Sequence, residues 1–304
     1  MPHMPTKRVC RLLEKYLTAT ASKPQVSNIT PLLAGVTNDN FLVTLSNKER
    51  WVLKLAKGYI KNGLAKEAHA YSLVRNTSLG IDNLFDKGQG ERDGLLIKYI
   101  AGRTDTAWSE TLLTELAQVL STVHQVNSQY GGNLLKPKAT ILNPANTLEQ
   151  AWRYFCRRQE AEDPRLLDIK ARVTNILNAH QAAFTDISHF SLVHGDLHPG
   201  NIITHPVQGL KLIDWERAHF GDPAFDLVLI NWHGNGPVID RSIQQQVVKL
   251  YAGDGASKTT LPLRVCCWSL YRLFTDHLFL LRFGLVTSKS EQFFEETEQL
   301  LDMI

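Results

Sequence analysis

The chain has 304 residues, of which 43% are hydrophobic and 21% are charged. These fractions describe an ordinary soluble globular protein, and the length allows one large domain or two unequal ones. The 33 Lys and Arg residues nearly balance the 30 Asp and Glu residues, for a formal net charge of +3. The charge therefore gives no reason to predict binding to nucleic acid.

The first hundred residues are predicted to be rich in strands. Residues 8–18 place apolar side chains at helical intervals and predict an opening helix, and the start of the chain lacks the apolar h-region of a secretory signal. The stretch 29–58 then predicts three strands joined by turns. Residues 63–76 predict a helix with Ala, Tyr and Leu on one face, and residues 94–102 predict a further strand.

The remainder of the chain is predicted to be mostly helical. Two short strands between residues 191 and 216 frame a polar loop, and helical periodicity dominates again from residue 222 onward. Before them, helical periodicity covers residues 106–126, 147–162 and 165–184. Strands first and helices afterwards indicate an α+β protein. We therefore predict an N-terminal domain of residues 1–101 and a C-terminal domain of residues 102–304.

The most apolar late stretch, residues 265–284, is predicted to be a buried helix. It contains Arg272, Asp276 and Arg282, and such charges disfavour a membrane span. The four cysteines show no paired spacing: Cys10, Cys156, Cys266 and Cys267. We therefore expect reduced thiols in a cytoplasmic protein, with no membrane partner.

The polar loop LVHGDLHPGNII, residues 192–203, allows three interpretations. His194, Asp196 and His198 form an H-x-D-x-H pattern, whose alternate residues share one side of an extended segment as zinc ligands would. A polar turn between two strands is the second interpretation, and it explains Pro199 and the glycine after it. The third is a catalytic loop, and it alone makes a prediction about the sequence that follows.

The catalytic interpretation depends on three side chains. Asp196 and Asn201 stand in D-x-x-x-x-N spacing, and Asp214 ends the next apolar strand, GLKLID. Phosphoryl transfer from ATP requires one carboxylate to take the proton of the attacking hydroxyl. It also requires an amide oxygen and a second carboxylate to hold Mg²⁺. The loop therefore predicts ATP-dependent phosphoryl transfer.

The segments HGDLHPGN and LIDWERAHFGDPAFDL resemble the aminoglycoside phosphotransferase and choline kinase superfamily. The resemblance implies an α+β, bilobal, protein-kinase-like fold, with a small antiparallel-sheet N-lobe carrying one main helix and a larger, mostly helical C-lobe. It implies that Asp196 is the catalytic base and that Asn201 and Asp214 are the Mg²⁺ ligands.

The same resemblance assigns supporting roles around the loop. Asp226 is implied to sit on a helix and to brace the catalytic loop by hydrogen bonds. His194 stands where the family has a side chain that supports the loop from behind, and we assign His198 to loop support as well.

The N-terminal half supplies further parts that a kinase of this fold needs. Lys54, in the strand after the hairpin, is the expected cation on the phosphates, and Glu67, on the following helix, is its expected partner. The turn around Gly35, Thr37 and Asn38 resembles the GxTN loops of choline kinase-like members, where side chains and backbone N–H groups meet phosphate oxygens. An ordinary hairpin turn remains the alternative for this segment.

The stretch LLIKYIAG resembles the hinge of the family, where backbone groups from Lys98 to Ile100 would meet adenine. The chain also lacks a DFG and an APE motif, and it passes from Asp214 almost directly to Asp226. This leaves no room for the activation segment of a protein kinase. We therefore expect the acceptor to be a small molecule with a hydroxyl group.

Within the superfamily, GVTN and GLKLIDWE favour choline, ethanolamine and thiamine kinases, whose acceptors are cationic alcohols. Such an acceptor calls for a carboxylate and aromatic faces, and the candidates are Glu216, Trp232, Trp268 and Tyr271. Each aromatic residue has a core-packing alternative. A kinase for an aminoglycoside or another small alcohol such as homoserine, and a non-catalytic nucleotide-binding protein, remain alternative functions, and the oligomeric state stays open.

Overall fold

The structure is a computed structural model. It describes residues 9–13, 25–32, 35–88, 91–104, 107–156, 162–185, 187, 189–233, 236–253, 260–284, 291–302 and 304, with the backbone alone at 231–233, 236–237 and 292. The chain divides into two compact units, Met1–Arg103 with Ile203–Ala218 and Thr104–Ile202 with His219–Ile304. The division into domains at residue 101 stays a prediction.

A five-stranded antiparallel sheet is the centre of the first unit. Its strands, in chain order, are β1 Val26–Pro31, β2 Asn38–Leu45, β3 Arg50–Ala56, β4 Asn83–Asp86 and β5 Gly94–Lys98. Their order in the sheet is β1-β2-β3-β5-β4. The register pairs Phe41 with Leu53 and Leu53 with Leu96, so that apolar side chains on neighbouring strands lie on the same face of the sheet. Buried residues of the helical segment 9–13 join this core, while the rest of the predicted opening helix falls outside the described residues.

The main helix of the first unit, α1, runs from Gly63 to Leu73, three residues shorter than the sequence predicts. Its buried residues include Leu64, Glu67, Ala70 and Tyr71, the spacing of a single helical face. The fully buried Glu67 on this face is the one charged member.

The chain returns to the first unit through a short hairpin and a turn. The hairpin pairs Ile202–His205 with Gly209–Leu212, and a further strand, Arg103–Thr104, completes its three-stranded sheet. A 3₁₀ turn, Trp215–Arg217, follows the second hairpin strand. These few residues contribute Asp214 and Glu216 to the first unit.

Six helices within the described residues form most of the second unit. They are α2 Glu110–Val123, α3 Pro144–Phe155, α4 Pro164–Ala179, α5 Arg241–Ala252, α6 Leu261–Arg282 and α7 Glu291–Leu301. Side-chain oxygens cap the first four of these helices, at Ser109, Asn143, Asp163 and Asp240. The long helix α6 is mostly buried, as predicted. Among the described residues, no helix has the length and apolar character that crossing a bilayer requires.

A small antiparallel sheet in the second unit carries the polar loop. Its strands are Asn127–Ser128, Gly132–Asn133, Phe190–Val193 and His219–Gly221, and the loop leaves the third of these. A 3₁₀ segment, Pro223–Val228, comes next in the chain, and then a hairpin of Ile230–His233 and Gly236–Ile239. The sequence predicts mostly helix here, and the hairpin differs from that prediction because its four-residue strands are too short to show a clear period. The α+β class is confirmed.

Candidate active site

Lys54 is the centre of a buried charge cluster in the first unit. Strand β3 carries Lys54, whose side chain is only 8% exposed. Its Nζ lies 2.6 Å from Glu67 Oε2 and 2.6 Å from Asp214 Oδ1. The second oxygen of Glu67 accepts a hydrogen bond of 3.2 Å from Tyr71 Oη. Helix α1 therefore supplies both a carboxylate for the lysine and a hydroxyl that fixes the carboxylate.

The acidic side chains of this cluster outnumber its lysine. Burial alone would lower the pKa of Lys54, but the carboxylates of Asp214 and Glu67 outweigh burial and raise it. Burial raises the pKa of Glu67, and Lys54 opposes that shift. Glu216 is also close enough to Lys54 to raise its pKa. One ammonium group therefore lies among three acidic side chains, two of which, Glu67 and Glu216, have a raised pKa.

Asp214 reaches this cluster through an unusual backbone conformation. Its φ of 68° and ψ of 55° are left-handed, a region that Asp tolerates better than most residues. The next residue, Trp215, is fully buried and donates from its indole Nε1 to the carbonyl of Leu212 at 2.9 Å. The Asp214 side chain keeps 31% of its surface exposed, so that a ligand can approach it.

Glu216 lies against the turn that precedes β2, which the sequence predicts to bind phosphate. Asn38 Nδ2 donates to Glu216 Oε2 at 3.0 Å and to Thr37 Oγ1 at 3.2 Å, and a hydrogen bond with Thr37 also helps to hold Glu216. Burial raises the pKa of Glu216. The carbonyl of Gly35 accepts a hydrogen bond of 2.7 Å from the ammonium group of Lys57.

These contacts favour a supporting role for Glu216 in the nucleotide turn, while its role as an acceptor-binding carboxylate stays a prediction. Its side chain is buried and belongs to the first unit, where it holds Asn38 and Thr37. The close packing also explains Gly63 at the start of α1, because a Cβ there would lie 3.1 Å from Glu216 Oε2. Its position two residues after Asp214 gave no sign of which way the side chain points.

Within the predicted adenine-binding segment, two amide groups already have partners. The Lys98 N–H donates to the carbonyl of Asp82 at 2.8 Å, and the Tyr99 N–H donates to that of Arg50 at 3.0 Å. The Lys98 ammonium pairs with Glu49 at 2.8 Å. Both the amide and the ammonium of Lys98 therefore have partners within the first unit. Ile100 lies two residues beyond the end of β5.

In the second unit, Asp226 holds the start of the polar loop. Its Oδ2 accepts from the His194 N–H at 2.8 Å, and its Oδ1 accepts from the Gly195 N–H at 2.9 Å. Gly195 has a φ of 82°, which favours glycine at this position. The carboxylate of Asp226 therefore fixes the backbone where the chain turns away from the strand. Asp226 lies in the 3₁₀ segment Pro223–Val228.

Two residues that sequence reasoning missed complete this support. His124 Nε2 lies 3.2 Å from Asp226 Oδ2, and His124 Nδ1 lies 2.9 Å from Tyr251 Oη. Burial opposes ionisation of Asp226, but the hydrogen bonds and charge of His124, with the Gly195 amide, outweigh burial and lower the pKa of Asp226. No sequence motif connects residues 124, 226 and 251, so only the fold reveals the chain of contacts.

The loop itself orders Asp196 and Asn201 relative to each other. Asn201 Nδ2 donates to the Asp196 carbonyl at 2.9 Å, and the Asn201 N–H donates to the His198 carbonyl at 2.9 Å. The Asp196 N–H donates to Nδ1 of the buried His194 at 3.3 Å. The Asp196 side chain is 19% exposed. The loop therefore presents this carboxylate to solvent from a hydrogen-bonded turn.

Arg272 is the most prominent residue of the site that sequence reasoning missed. From helix α6, its Nη1 donates to the Gly195 carbonyl at 2.7 Å, and its Nη2 donates to Asp196 Oδ1 at 3.2 Å. Asp276, one helical turn later, accepts from Arg272 Nε at 3.0 Å. The sequence signal for a role of Arg272 is its spacing of four residues from Asp276 within an apolar helix.

The three aromatic candidates for an acceptor pocket differ in their surroundings. Trp268 is 3% exposed and donates from Nε1 to Asp222 Oδ2 at 2.9 Å, and Phe184 and Phe225 pack edge-on against it. These contacts favour core packing over ligand binding. Tyr271 is half-buried. The side chain of Trp232 lies outside the described residues.

No group of three His, Cys, Asp or Glu side chains that could hold a metal ion occurs among the described residues. His194 Nδ1 accepts a hydrogen bond from the Asp196 amide, so this nitrogen is not placed to ligate zinc. Mg²⁺ prefers oxygen ligands and keeps several waters, so that few protein ligands suffice. The Asp214 carboxylate in the first unit and the Asn201 amide oxygen in the second unit are each donors of this kind.

Solved structures with the same architecture place the fold in the kinase-like class. Choline kinase LicA from Streptococcus pneumoniae matches with a TM-score of 0.69 at 15% identity, over 97% of this chain and 99% of that one. A thermostable mutant of aminoglycoside phosphotransferase APH(4)-Ia, in its apo form, matches with a TM-score of 0.67 at 15% identity, over 96% of this chain and 98% of that one. At such identities the likeness concerns the fold.

The family follows from the sequence. Residues 28–257 match the model of the phosphotransferase enzyme family known as APH, and the chain belongs to that family. Thiamine kinase of Escherichia coli O1:K1 is 31% identical over 166 residues, which cover 53% of this chain and 49% of that protein. Thiamine kinase of Shigella dysenteriae serotype 1 is 31% identical over 144 residues, 46% of this chain and 43% of that protein. The matched part thus spans about half the length of these relatives.

Proposed function

We propose that this protein transfers the γ-phosphoryl group of ATP to the hydroxyl group of a small cationic alcohol. The observation that carries the proposal is the position of Lys54, whose ammonium lies 2.6 Å from carboxylates of both Glu67 and Asp214. A scaffold that only held a partner would have no use for this cluster together with the Asp196 loop.

The first unit supplies the groups for the nucleotide. Lys54 has three N–H donors, and two are engaged by Glu67 and Asp214, so that the third is available to a phosphate oxygen. Glu216 holds Asn38 and Thr37 and thereby keeps the preceding turn in shape to donate its backbone amides to phosphates. We assign the Ile100 amide to adenine, because the amides of Lys98 and Tyr99 are used within the sheet.

Asp214 and Asn201 are the residues that would hold Mg²⁺, which when bound offsets negative charge on the phosphates. The fit rests on their oxygen donors and on the exposed part of the Asp214 carboxylate, 31% of its side chain. Asp214 also bonds to Lys54, so the same carboxylate orients the lysine.

The second unit supplies the base. Asp196 accepts the proton of the acceptor hydroxyl while the hydroxyl oxygen forms a bond to the γ-phosphorus. The bond between the γ-phosphorus and the oxygen that bridges it to the β-phosphate breaks, and ADP leaves. Asp226 and His194 hold the loop from which Asp196 projects.

Thiamine is the acceptor that we propose first, because the relatives at 31% identity are thiamine kinases. Thiamine is a cation with a primary alcohol, the chemistry that the sequence favours. Tyr271, half-buried beside Phe225 in the second unit, is the aromatic residue that we propose for a cation–π contact.

A coupled assay of ADP release with Mg²⁺-ATP tests the proposal. Thiamine, choline, ethanolamine, homoserine and kanamycin are compared at equal concentrations, with mass spectrometry of the products. We expect a phosphate ester of a cationic alcohol, with thiamine the best acceptor. A phosphate ester of kanamycin or homoserine alone would contradict the acceptor class, and ester formation with none of them would contradict the kinase proposal for this set of acceptors.

A further inference from the structure

We propose that Arg272 is a positioning residue that holds the carboxylate of Asp196 and the backbone beside it. The inference rests on the proposed function, because that function makes Asp196 the catalytic base. The guanidinium group makes two separate contacts with the loop, Nη1 to the Gly195 carbonyl at 2.7 Å and Nη2 to Asp196 Oδ1 at 3.2 Å. One planar group therefore fixes both a peptide and the side chain that follows it.

The Gly195 contact matters because this residue is the turning point of the loop. With φ at 82°, Gly195 donates its N–H to Asp226 at 2.9 Å and its carbonyl accepts from Arg272 at 2.7 Å. The peptide groups on its two sides therefore bind different partners: Asp226 of the 3₁₀ segment accepts from the N–H, and Arg272 of α6 donates to the carbonyl. A glycine has many conformations available when unconstrained, and these two charged hydrogen bonds select one.

The Asp196 contact restrains the carboxylate. A bond to Oδ1 limits rotation about the Cβ–Cγ bond and so limits where the second oxygen points. General-base catalysis requires that oxygen within hydrogen-bond reach of the acceptor hydroxyl, and small misplacements of reacting groups are costly to the rate. Arg272 acts through Asp196 in this scheme.

Arg272 is itself rigidly held. It is 4% exposed, its Nε lies 3.0 Å from Asp276 Oδ2, and its guanidinium carbon lies 5.1 Å from the ring centre of Phe225. Phe225 directly precedes Asp226 in the chain. The 3₁₀ segment that binds the loop amides therefore also provides an aromatic face for the arginine, which ties the two supports together.

The test compares the wild type with Arg272→Ala, Arg272→Lys and the double variant R272A/D276N, in which no buried carboxylate is left without its partner. The matched control is Arg264→Ala, because Arg264 also lies on α6 and pairs with a buried carboxylate, Asp222, at 3.0 Å. Thermal unfolding establishes that each variant is folded. Two measurements follow, steady-state kinetics and hydrogen exchange of the loop peptide 192–203.

We expect kcat to fall at least tenfold in R272A and R272A/D276N, with KM for ATP within about twofold of the wild type, and partial recovery in R272K. Millimolar guanidinium should restore part of kcat in R272A and none in the Arg264 control. Amides of residues 195–201 should exchange at least tenfold faster in R272A and R272A/D276N, and at the wild-type rate in the control.

A folded R272A/D276N variant with wild-type kcat and wild-type exchange in the loop would overturn the inference. An equal loss of activity in the Arg264 control would do the same, since it would indicate a general effect on α6. If the wild type phosphorylates no alcohol, the proposed function fails, whereas the exchange measurement still decides whether Arg272 orders the loop.

Discussion

Replacing Lys54 with Met tests the charge cluster of the first unit. The change removes a cation that lies 2.6 Å from two carboxylates, one of them on the fully buried Glu67. Breaking a buried ion pair by removing one partner costs about 3–5 kcal/mol, because the other group stays buried without its partner. We therefore expect the free energy of unfolding to fall by about that amount at neutral pH.

A double-mutant cycle with Glu67→Gln separates the energy of the Lys54–Glu67 ion pair from the packing energy of the two side chains. The double variant K54M/E67Q carries no buried charge at either position, so it should be more stable than K54M alone, with a coupling energy of about 2–3 kcal/mol. The matched control is Lys98→Met, which breaks a pair of similar length, 2.8 Å, whose side chains are 36% and 40% exposed. This exposed pair should contribute no more than about 1 kcal/mol.

Urea denaturation followed by fluorescence and circular dichroism measures all four proteins of the cycle and the control under the same conditions. The reasoning is refuted if K54M loses no more stability than the Lys98 variant, or if the coupling energy in the cycle is close to zero. In the folded K54M protein, we also expect a higher KM for ATP, a lower kcat, or both.

Three further predictions concern the loop, the nucleotide turn and the core. Asp196→Asn should lower kcat by about 10²–10⁴, the usual effect of losing a general base, while ATP binding measured by calorimetry stays near the wild-type value; unchanged turnover would exclude Asp196 as the base. Glu216→Ala should raise KM for ATP more than KM for the alcohol, because Glu216 holds Asn38, and the opposite pattern would return Glu216 to the acceptor site. Burial lowers the pKa of His277 to about 4, and neither ring nitrogen has a hydrogen-bond partner among the described residues. Since its folded-state pKa lies below the unfolded value, His277 contributes stability that is complete above pH 6.5 and is lost as pH falls toward 4, by up to about 3 kcal/mol. His277→Phe should therefore show a smaller fall in Tm between pH 6.5 and pH 4.5 than the wild type, and equal slopes would contradict this explanation.

The sequence predicts the fold class well because its signals are local. The apolar runs of β2 and β3 and the spacing of buried residues in α1 are set by residues close together in the chain. The hairpin of Ile230–His233 and Gly236–Ile239 was missed, since its short apolar segments have no helical or alternating pattern long enough to decide between structures.

The candidate site was predictable where a motif joins residues that lie near each other in the sequence, or where the family resemblance assigns a residue, as it does for Asp226. Asp196, Asn201 and Asp214 stand within a single short stretch. The contacts of Arg272 with Gly195 and Asp196 span more than seventy residues, and no local sequence pattern predicts contacts over such a distance. Side-chain direction was the other gap, because the same local pattern allowed Glu216 to face the acceptor or the nucleotide turn.

The most direct test of the central claim is to follow the γ-phosphoryl group itself. The protein is incubated with ATP labelled at the γ-phosphate, Mg²⁺ and thiamine, and the products are separated by chromatography, with Asp196→Asn beside the wild type. The proposed function predicts label in a thiamine phosphate ester formed by the wild type and about 10²–10⁴ times more slowly by the variant. Label that appears only as inorganic phosphate, or ester formed equally fast by both proteins, would contradict it.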